Sequence, residues 1–236
     1  MIDDNTSHND NRKNNHIETS FDDIRPLKDV EVKAAIESLL TDEMFKKAVT
    51  PIIKPISWEM FSEQLRSYKT VDEFQENVIY TLITKFIEKN IDKLWLANPE
   101  NVDMTDSHVY ISNHRDIVLD AALFNILLFE EKVQTTEIAI GDNLLIFPWI
   151  TTLVRLNKSF IVKRGVSIRQ VIETSKHLSQ YIHKTVRQNN QSVWIAQREG
   201  RAKDSNDRTQ TSLLKMLALV DSKETLESIK ALNMVP

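Results

Sequence analysis

A histidine and two aspartates lie close together in the stretch SNHRDIVLDAAL, residues 112–123. Histidine is the side chain whose ordinary pKa suits proton abstraction near neutral pH, and a carboxylate on its second ring nitrogen fixes the tautomer and stabilises the charged form. His114 with Asp116 or Asp120 therefore predicts a general base. A helix capped by Asn113 or Asp116, with a structural histidine beside it, would use the same residue types.

The triplet His-Arg-Asp also occurs in the catalytic loop of protein kinases, but the remaining kinase elements are missing. The kinase pattern requires a metal-binding Asn after the Asp, and Ala121 occupies that position here. The sequence has no Gly-rich phosphate loop, no Val-Ala-Ile-Lys strand and no Asp-Phe-Gly triplet. Kinase chemistry is therefore excluded.

The elements around this stretch alternate between β-rich and helical patterns. The β-rich runs lie at 108–112, 136–140, 159–164 and 192–197, and the helical patterns at 116–130, 143–154, 167–189 and 209–230. This alternation predicts an α/β domain with a mostly parallel sheet flanked by helices. Helical spacing of apolar residues from Val30 to about Asn90 predicts a small all-helical unit before it.

The sequence thus divides into three predicted parts. Residues 1–20 are almost wholly polar and predict a disordered tail. Residues 21–104 form the helical N-terminal unit, and residues 105–236 form the α/β domain. The chain of 236 residues is 41% hydrophobic, which suffices for an ordinary buried core. No secretory signal opens it and no apolar run reaches the roughly 18 residues that span a bilayer, so we expect a cytoplasmic protein.

Positive charge is concentrated in one segment. Residues 155–208 hold twelve Lys or Arg and four acids, in a chain whose net charge is −4. Such a region favours an anionic ligand or surface, and without aromatic interleaving or a DNA-binding motif we expect no nucleic acid partner. The six histidines are scattered, with none at ligand spacing, so no metal is expected. His177 and His183 are expected on the solvated flank of helix 167–189.

Glycines and cations follow the predicted strands. Only three glycines occur, and each follows a strand: Gly141, Gly165 and Gly200. Lys163 and Arg164 precede the second glycine, and Glu199 and Arg201 flank the third. Ligands of parallel sheets bind at the carboxyl ends of the strands, and Arg can contact a phosphate through two hydrogen bonds. The pattern predicts a site for a substrate's phosphate, although ordinary turns also use glycine.

Three blocks carry a resemblance to a known family. SNHRDIVLD, then GDNLL with RLNKSFIVKR, then QREGRAKDSNDRTQ resemble the first three blocks of the glycerophospholipid acyltransferases, especially the glycerol-3-phosphate acyltransferase branch. That family has a His and an Asp separated by four residues, a strand reading like Phe-Phe-Ile-Arg-Arg, and a Glu-Gly-Arg block. The resemblance extends from about residue 105 to the end of the sequence.

The resemblance implies an enzyme that moves an acyl chain from acyl-CoA or acyl carrier protein, without a further cofactor, to the hydroxyl of glycerol 3-phosphate or lysophosphatidate. His114 would take the hydroxyl proton, with Asp120 or Asp116 behind it. The implied substrate-binding residues are Arg115, Asn143, Lys163, Arg164, Glu199, Gly200 and Arg201. The enzyme would work peripherally at the inner face of the cell membrane, where its basic segment meets anionic lipid or an acidic carrier.

Two features depart from the family's pattern. Five residues separate His114 from Asp120, and on a regular helix of about 100° per residue the two would be turned about 120° apart. Either the first turn is irregular and absorbs one residue, or Asp116 is the partner; the apolar setting of Asp120 favours Asp120. The sequence also ends at Val-Pro, with which the family's fourth block begins, so we expect a C-terminal portion to be lacking.

These departures leave a second hypothesis open. A catalytically silent relative would bind lysophospholipid or a protein partner, the latter through its N-terminal helices. The altered spacing and the abrupt end favour this alternative. The intact His114, Glu199 and Arg201 favour the enzyme.

Overall fold

The computed structural model describes residues 20–204, 208–220 and 225–236, with the side chain of Ile168 left out. The predicted tail, 1–20, lies outside this part of the chain except for Ser20. Five α-helices precede the sheet: α1 Asp29–Thr41, α2 Glu43–Val49, α3 Trp58–Ser67, α4 Val71–Phe74 and α5 Thr81–Asn90. A π-helical segment, Gln75–Tyr80, joins the last two.

Side chains at the helix starts explain why the N-terminal helices begin where they do. Asp42 accepts hydrogen bonds from two amides of α2, Ser57 caps α3 and Thr70 caps α4, satisfying amides that lack a helical partner. The helices bury a cluster that contains Leu39 and Phe74 and is completed by Leu156 of the later α/β part. The boundary at residue 104 stays a prediction.

A five-stranded, all-parallel sheet follows, as the alternating pattern predicted. Its strands are β1 Val109–Ser112, β2 Glu137–Gly141, β3 Ser159–Val162, β4 Val193–Ala196 and β5 Met234–Val235. They lie in the order β3-β2-β4-β1-β5. The helices between and after them are α6 Leu119–Glu130, α7 Pro148–Leu156, α8 Ile168–Arg187, α9 Thr211–Leu217 and α10 Thr225–Lys230. The chain therefore has an α/β fold preceded by a helical segment.

The two faces of the sheet bury different helices, because successive strand residues point to opposite faces. On one face, Tyr110 of β1 and Trp194 of β4 pack with Ala121 of α6. On the other, Val109 and the remaining strands pack against Ile182 of α8. Neither described helix layer holds a helix long and apolar enough to cross a bilayer.

Three sequence-based expectations differ from the structure. Helix 143–154 begins later, at Pro148, because Asp142–Leu144 forms a 3-10 turn and proline suits the first helical position. Helix 209–230 is not continuous: α9 ends at Leu217 and α10 starts at Thr225. His183 is not on a solvated flank. It is 5% exposed, with Nε2 3.0 Å from the Leu217 carbonyl oxygen, because α9 packs on α8.

A short segment before α1 runs past the outer edge of β3. The amide of Ile161 donates to the carbonyl oxygen of Ile24 at 2.8 Å. Nearby, the Arg155 guanidinium donates to the carbonyl oxygens of Arg25 and Asp22, both at 2.9 Å. These bonds position residues 22–25 beside the end of β3, where the cations predicted from the sequence also lie.

Candidate active site

His114 and Asp120 form a hydrogen-bonded pair just beyond the end of β1. Nδ1 of His114 lies 3.0 Å from Oδ2 of Asp120. The side chains are 16% and 15% exposed, so the pair is largely shielded from solvent. Of the two candidate aspartates, Asp120 is the one in contact with His114.

The connection between β1 and α6 explains how five intervening residues allow this contact. Residues 113–118 are not helical, and α6 begins only at Leu119. The same Oδ2 of Asp120 accepts hydrogen bonds from the amides of Arg115 at 2.7 Å and Asp116 at 3.0 Å. The turn therefore folds around the carboxylate, and the 120° offset of a regular helix does not arise.

Asp116 has a different place in the structure. Its Oδ1 accepts hydrogen bonds from the amides of Val118 and Leu119, both at 2.8 Å. These bonds lower the pKa of Asp116, because they stabilise the carboxylate. Asp116 thus caps the start of α6, one of the alternatives that the sequence left open.

The contact between His114 and Asp120 decides which ring nitrogen can act as a base. An ionised carboxylate only accepts hydrogen bonds, so Nδ1 must carry the proton in that pair. The lone pair of the neutral imidazole is then on Nε2. Chemically, the arrangement can take a proton at Nε2 while Asp120 stabilises the resulting cation.

A second group forms where β2 and β3 end. Nη1 of Arg164 lies 3.1 Å from Oε1 of Glu199, and the amide of Arg164 donates to Asp142 Oδ1 at 3.1 Å. Gly141 makes this approach possible. A Cβ at that position would lie 2.6 Å from Nε of Arg164 and 2.5 Å from Oδ1 of Asn143. The structure thus brings Asn143, Arg164 and Glu199 together.

Lys163 points to a different partner. Its Nζ forms a close ion pair with Asp23, from the segment that runs past β3. The other oxygen of Asp23 lies 3.1 Å from Nε2 of His177 on α8. Burial alone would raise the pKa of Asp23, but the hydrogen bonds from Lys163 and His177 outweigh it and lower the pKa. His177 is therefore in this cluster, contrary to the expectation that it lies on a solvated flank.

The loop after β4 returns to His114. The amide of Ala202 donates to the His114 carbonyl oxygen at 2.7 Å, and Nε2 of Gln197 donates to Asn113 at 2.6 Å. Gly200 adopts a left-handed conformation, φ 74°, and is exposed together with Arg201. The Arg115 guanidinium donates to the carbonyl oxygen of Asp204 at 2.7 Å. Arg115, Gly200 and Arg201, three of the predicted substrate-binding residues, thus lie in the loops that follow β1 and β4.

A cavity of about 660 Å³ opens beside these groups, on the face of the sheet that carries α8. Its floor is apolar and includes Ile161, Ile195 and Met216, and its mouth is lined by Asp23, Lys163, Arg164 and Glu199. His114 is not among the described residues that line it. His114 follows β1, which neighbours β4, and the end of β4 borders the cavity. Neighbouring strands lie roughly 5 Å apart.

Three residues of this region were not identified from the sequence as parts of a site. They are Asp23, Asp142 and His177, all at the cavity or beside Arg164. Arg198, which lies with Glu199, Gly200 and Arg201 at the end of the last β-rich run, also lines the cavity. Asp142 adjoins the predicted Asn143, so a wider interpretation of that block would have included it. No local signal marks Asp23, because its contacts are with residues far along the chain.

Fold and geometry define the class: an α/β protein with a His–Asp pair and ion-paired cations along the carboxyl edge of a parallel sheet. A sequence model of the family described as Acyltransferase matches residues 93–218, just over half of the chain. The chain belongs to this family, that of the glycerolipid acyltransferases. It is therefore an O-acyltransferase of lipid metabolism. No curated protein matches the chain.

Proposed function

We propose that the protein transfers a fatty acyl chain from acyl-CoA or acyl carrier protein to the hydroxyl of glycerol 3-phosphate or lysophosphatidate. The observation that carries this proposal is the hydrogen bond between His114 Nδ1 and Asp120 Oδ2 in a member of the acyltransferase family. This hydrogen bond supports a general base at the edge of the sheet where the ends of β2, β3 and β4 supply polar and cationic groups.

The reaction follows from that tautomer. The acceptor's hydroxyl oxygen attacks the thioester carbonyl carbon while Nε2 of His114 takes the hydroxyl proton. The C–S bond then breaks, the acyl group remains on the acceptor as an ester, and the leaving thiolate recovers the proton from the imidazolium. Asp120 stabilises the imidazolium between these steps.

The cations and the cavity suit the two ends of such substrates. A phosphate would be bound at the carboxyl edge by Arg164 and Lys163 after β3 and by Arg201 after β4. An acyl chain would lie on the apolar floor of the cavity, whose volume of about 660 Å³ is within the range of small-molecule sites. An amphipathic substrate would then reach from the cavity to His114.

The carboxyl edge also suits contact with a membrane. Three of the loops or helix starts along it carry adjacent exposed apolar residues: Ile117 with Val118, Ile146 with Phe147, and Val171 with Ile172. Ile146 and Ile172 are each 71% exposed. The described segments 113–118, 142–147, 163–172, 197–204 and 208–210 hold eight Lys or Arg and four acids, whereas the whole chain is acidic. Apolar insertion beside cations favours an anionic bilayer surface.

The test of the proposed function is release of free thiol from long-chain acyl-CoA by the full chain. The reactions contain glycerol 3-phosphate, lysophosphatidate or no acceptor. A parallel set uses acylated acyl carrier protein as the donor with the same acceptors. We expect acceptor-dependent release. His114→Ala should abolish it without lowering the melting temperature, because Asp120 keeps its two bonds to backbone amides.

The outcomes separate the hypotheses. Release that persists in His114→Ala would place the base on another residue. A wild-type protein that is silent with every donor and acceptor, yet binds lysophosphatidate, would support the catalytically silent relative instead.

A further inference from the structure

Most of the charges at the cavity mouth are already neutralised by neighbours. Asp23 pairs with Lys163 and contacts His177, and Glu199 pairs with Arg164. A phosphate that contacted Lys163 or Arg164 would have to share each cation with a carboxylate. Two of the three cations that the family resemblance assigns to the phosphate, Lys163 and Arg164, are therefore already paired in this chain.

Arg198 differs from these cations. It lines the same cavity and is partly buried. Among the residues that the structure describes, no carboxylate pairs with its guanidinium. The same cavity also has apolar lining residues, among them Ile195, Leu213 and Met216. A partly desolvated guanidinium without a counter-ion attracts an anion more strongly than a solvated one does.

We propose that Arg198 binds a phosphate group of the substrate inside the cavity and so sets the position of the substrate relative to His114. This inference rests on the proposed function and names a residue of the third block that the resemblance does not assign to substrate binding. Arg suits the role because its planar fork can give a phosphate two parallel hydrogen bonds. The apolar lining of the cavity suits a phosphate that is attached to a hydrocarbon chain.

Binding and turnover should both report the role of Arg198. In Arg198→Gln, the KM for the substrate whose phosphate is bound should rise about 10- to 100-fold, since a charge-assisted contact is lost. The kcat at saturation should change less. In Arg198→Lys, which keeps the charge but loses the planar fork, the KM should lie between the values of the wild type and Arg198→Gln. If the KM for the acceptor increases, Arg198 binds the phosphate monoester of the acceptor. If the KM for the donor increases, Arg198 binds a phosphate of the donor's carrier.

A binding measurement makes the test independent of catalysis. Glycerol 3-phosphate, lysophosphatidate and coenzyme A are each titrated while the melting temperature is recorded, because a ligand that binds the folded state stabilises it. At least one should stabilise the wild type and not Arg198→Gln. That result would support the phosphate site even if the chain transfers no acyl group.

Arg187→Gln is the matched control. Arg187 is exposed at the far end of α8, about 28 Å along the helix from its first residue near the cavity. It should leave every KM and every ligand-induced shift unchanged. Equal KM values and equal ligand-induced shifts in the wild type and Arg198→Gln would overturn the proposal. An equal loss of stability in Arg198→Gln and Arg198→Lys would also overturn it.

Discussion

The backbone amide of Ala202 donates a hydrogen bond to the carbonyl oxygen of His114 at 2.7 Å. This contact joins the first and third sequence blocks across the neighbouring strands β1 and β4. It also holds Arg201 close to the start of α6. The pKa of Asp116 is lowered first by its bonds to the amides of Leu119 and Val118, and further by the charge of Arg201.

Replacement of the two aspartates should separate catalysis from capping. Asp120→Asn should lower kcat about 10²- to 10⁴-fold, because an amide neither fixes Nδ1 as donor nor stabilises the imidazolium. Asp116→Asn should retain most activity, since Asn is as good a cap as Asp. Steady-state rates of thiol release measure both. Equal losses in the two variants would contradict the assignment of Asp120 as the partner of His114.

Gly141→Ala should disturb binding more than folding. The backbone of Gly141 has φ −72°, which alanine adopts without strain. The added Cβ would instead displace the side chains of Arg164 and Asn143. We expect a melting temperature close to wild type and an acceptor KM raised by about tenfold or more, because a charge-assisted contact is weakened.

Gly165→Ala provides the contrasting control for that experiment. Nothing lies within 4 Å of a Cβ at Gly165, but its φ is 65°. Backbone strain should therefore lower the free energy of unfolding by roughly 1 kcal/mol. An unchanged acceptor KM in Gly141→Ala would show that the position of Arg164 does not limit binding.

Membrane contact should depend on the apolar pairs of the carboxyl edge. The double variant Ile146→Ser/Ile172→Ser should bind phosphatidylglycerol vesicles at least about tenfold more weakly, because burying each aliphatic side chain contributes about 1.5 kcal/mol or more. Vesicle co-sedimentation without substrate measures this. Neutral phosphatidylcholine vesicles should bind the wild type less than anionic ones do.

Val30→Ser is the control for that comparison. Val30 is 88% exposed at the start of α1. The nearby amide of Leu27 donates to the carbonyl oxygen of Arg155. Arg155 is in the last turn of α7, whereas Ile146 precedes the first turn of that helix. It should bind vesicles as the wild type does. If the double variant and Val30→Ser bind equally, the carboxyl edge is not the membrane-contacting surface.

Stability should depend on pH through Glu137. Desolvation raises the pKa of this carboxyl to about 7, and the hydroxyl of Tyr181 donates to it at 2.5 Å. Between about 4.5 and about 7 the folded protein therefore holds a proton that the unfolded chain has lost. This group makes the free energy of unfolding fall as pH rises through that window, by at most about 1.4 kcal/mol per pH unit.

Glu137→Gln should remove that contribution while keeping an acceptor for Tyr181. Urea unfolding at several pH values across the window should give a smaller slope in the variant than in the wild type. Identical slopes would assign the pH dependence to other groups.

Much of the sheet and the placement of His114 could be predicted from the sequence. Short runs such as residues 108–112 and 192–197 have the composition of buried parallel strands, and their carboxyl ends must meet at one edge. The partner of His114 was undecided because periodicity assumes a regular helix. The start of α6 at Leu119 depends on the amide bonds that Asp116 and Asp120 accept, and these have no periodic signal.

Contacts between segments that are far apart in the sequence could not be predicted from local patterns. Asp23 reaches Lys163 and His177 only because the chain before α1 packs against β3. His183 is buried because α9 covers that part of α8. The stripe of apolar residues on α8 identified its buried face but not the elements that cover its flanks.

The bond between Ile161 and Ile24 has a consequence beyond the site. β3 is at one end of the strand order, and an open strand edge is a template on which another chain can pair and aggregate. By occupying the amide of Ile161, the segment before α1 blunts that edge. The same few residues thus supply a carboxylate to the cavity mouth and protect the protein against edge-to-edge aggregation.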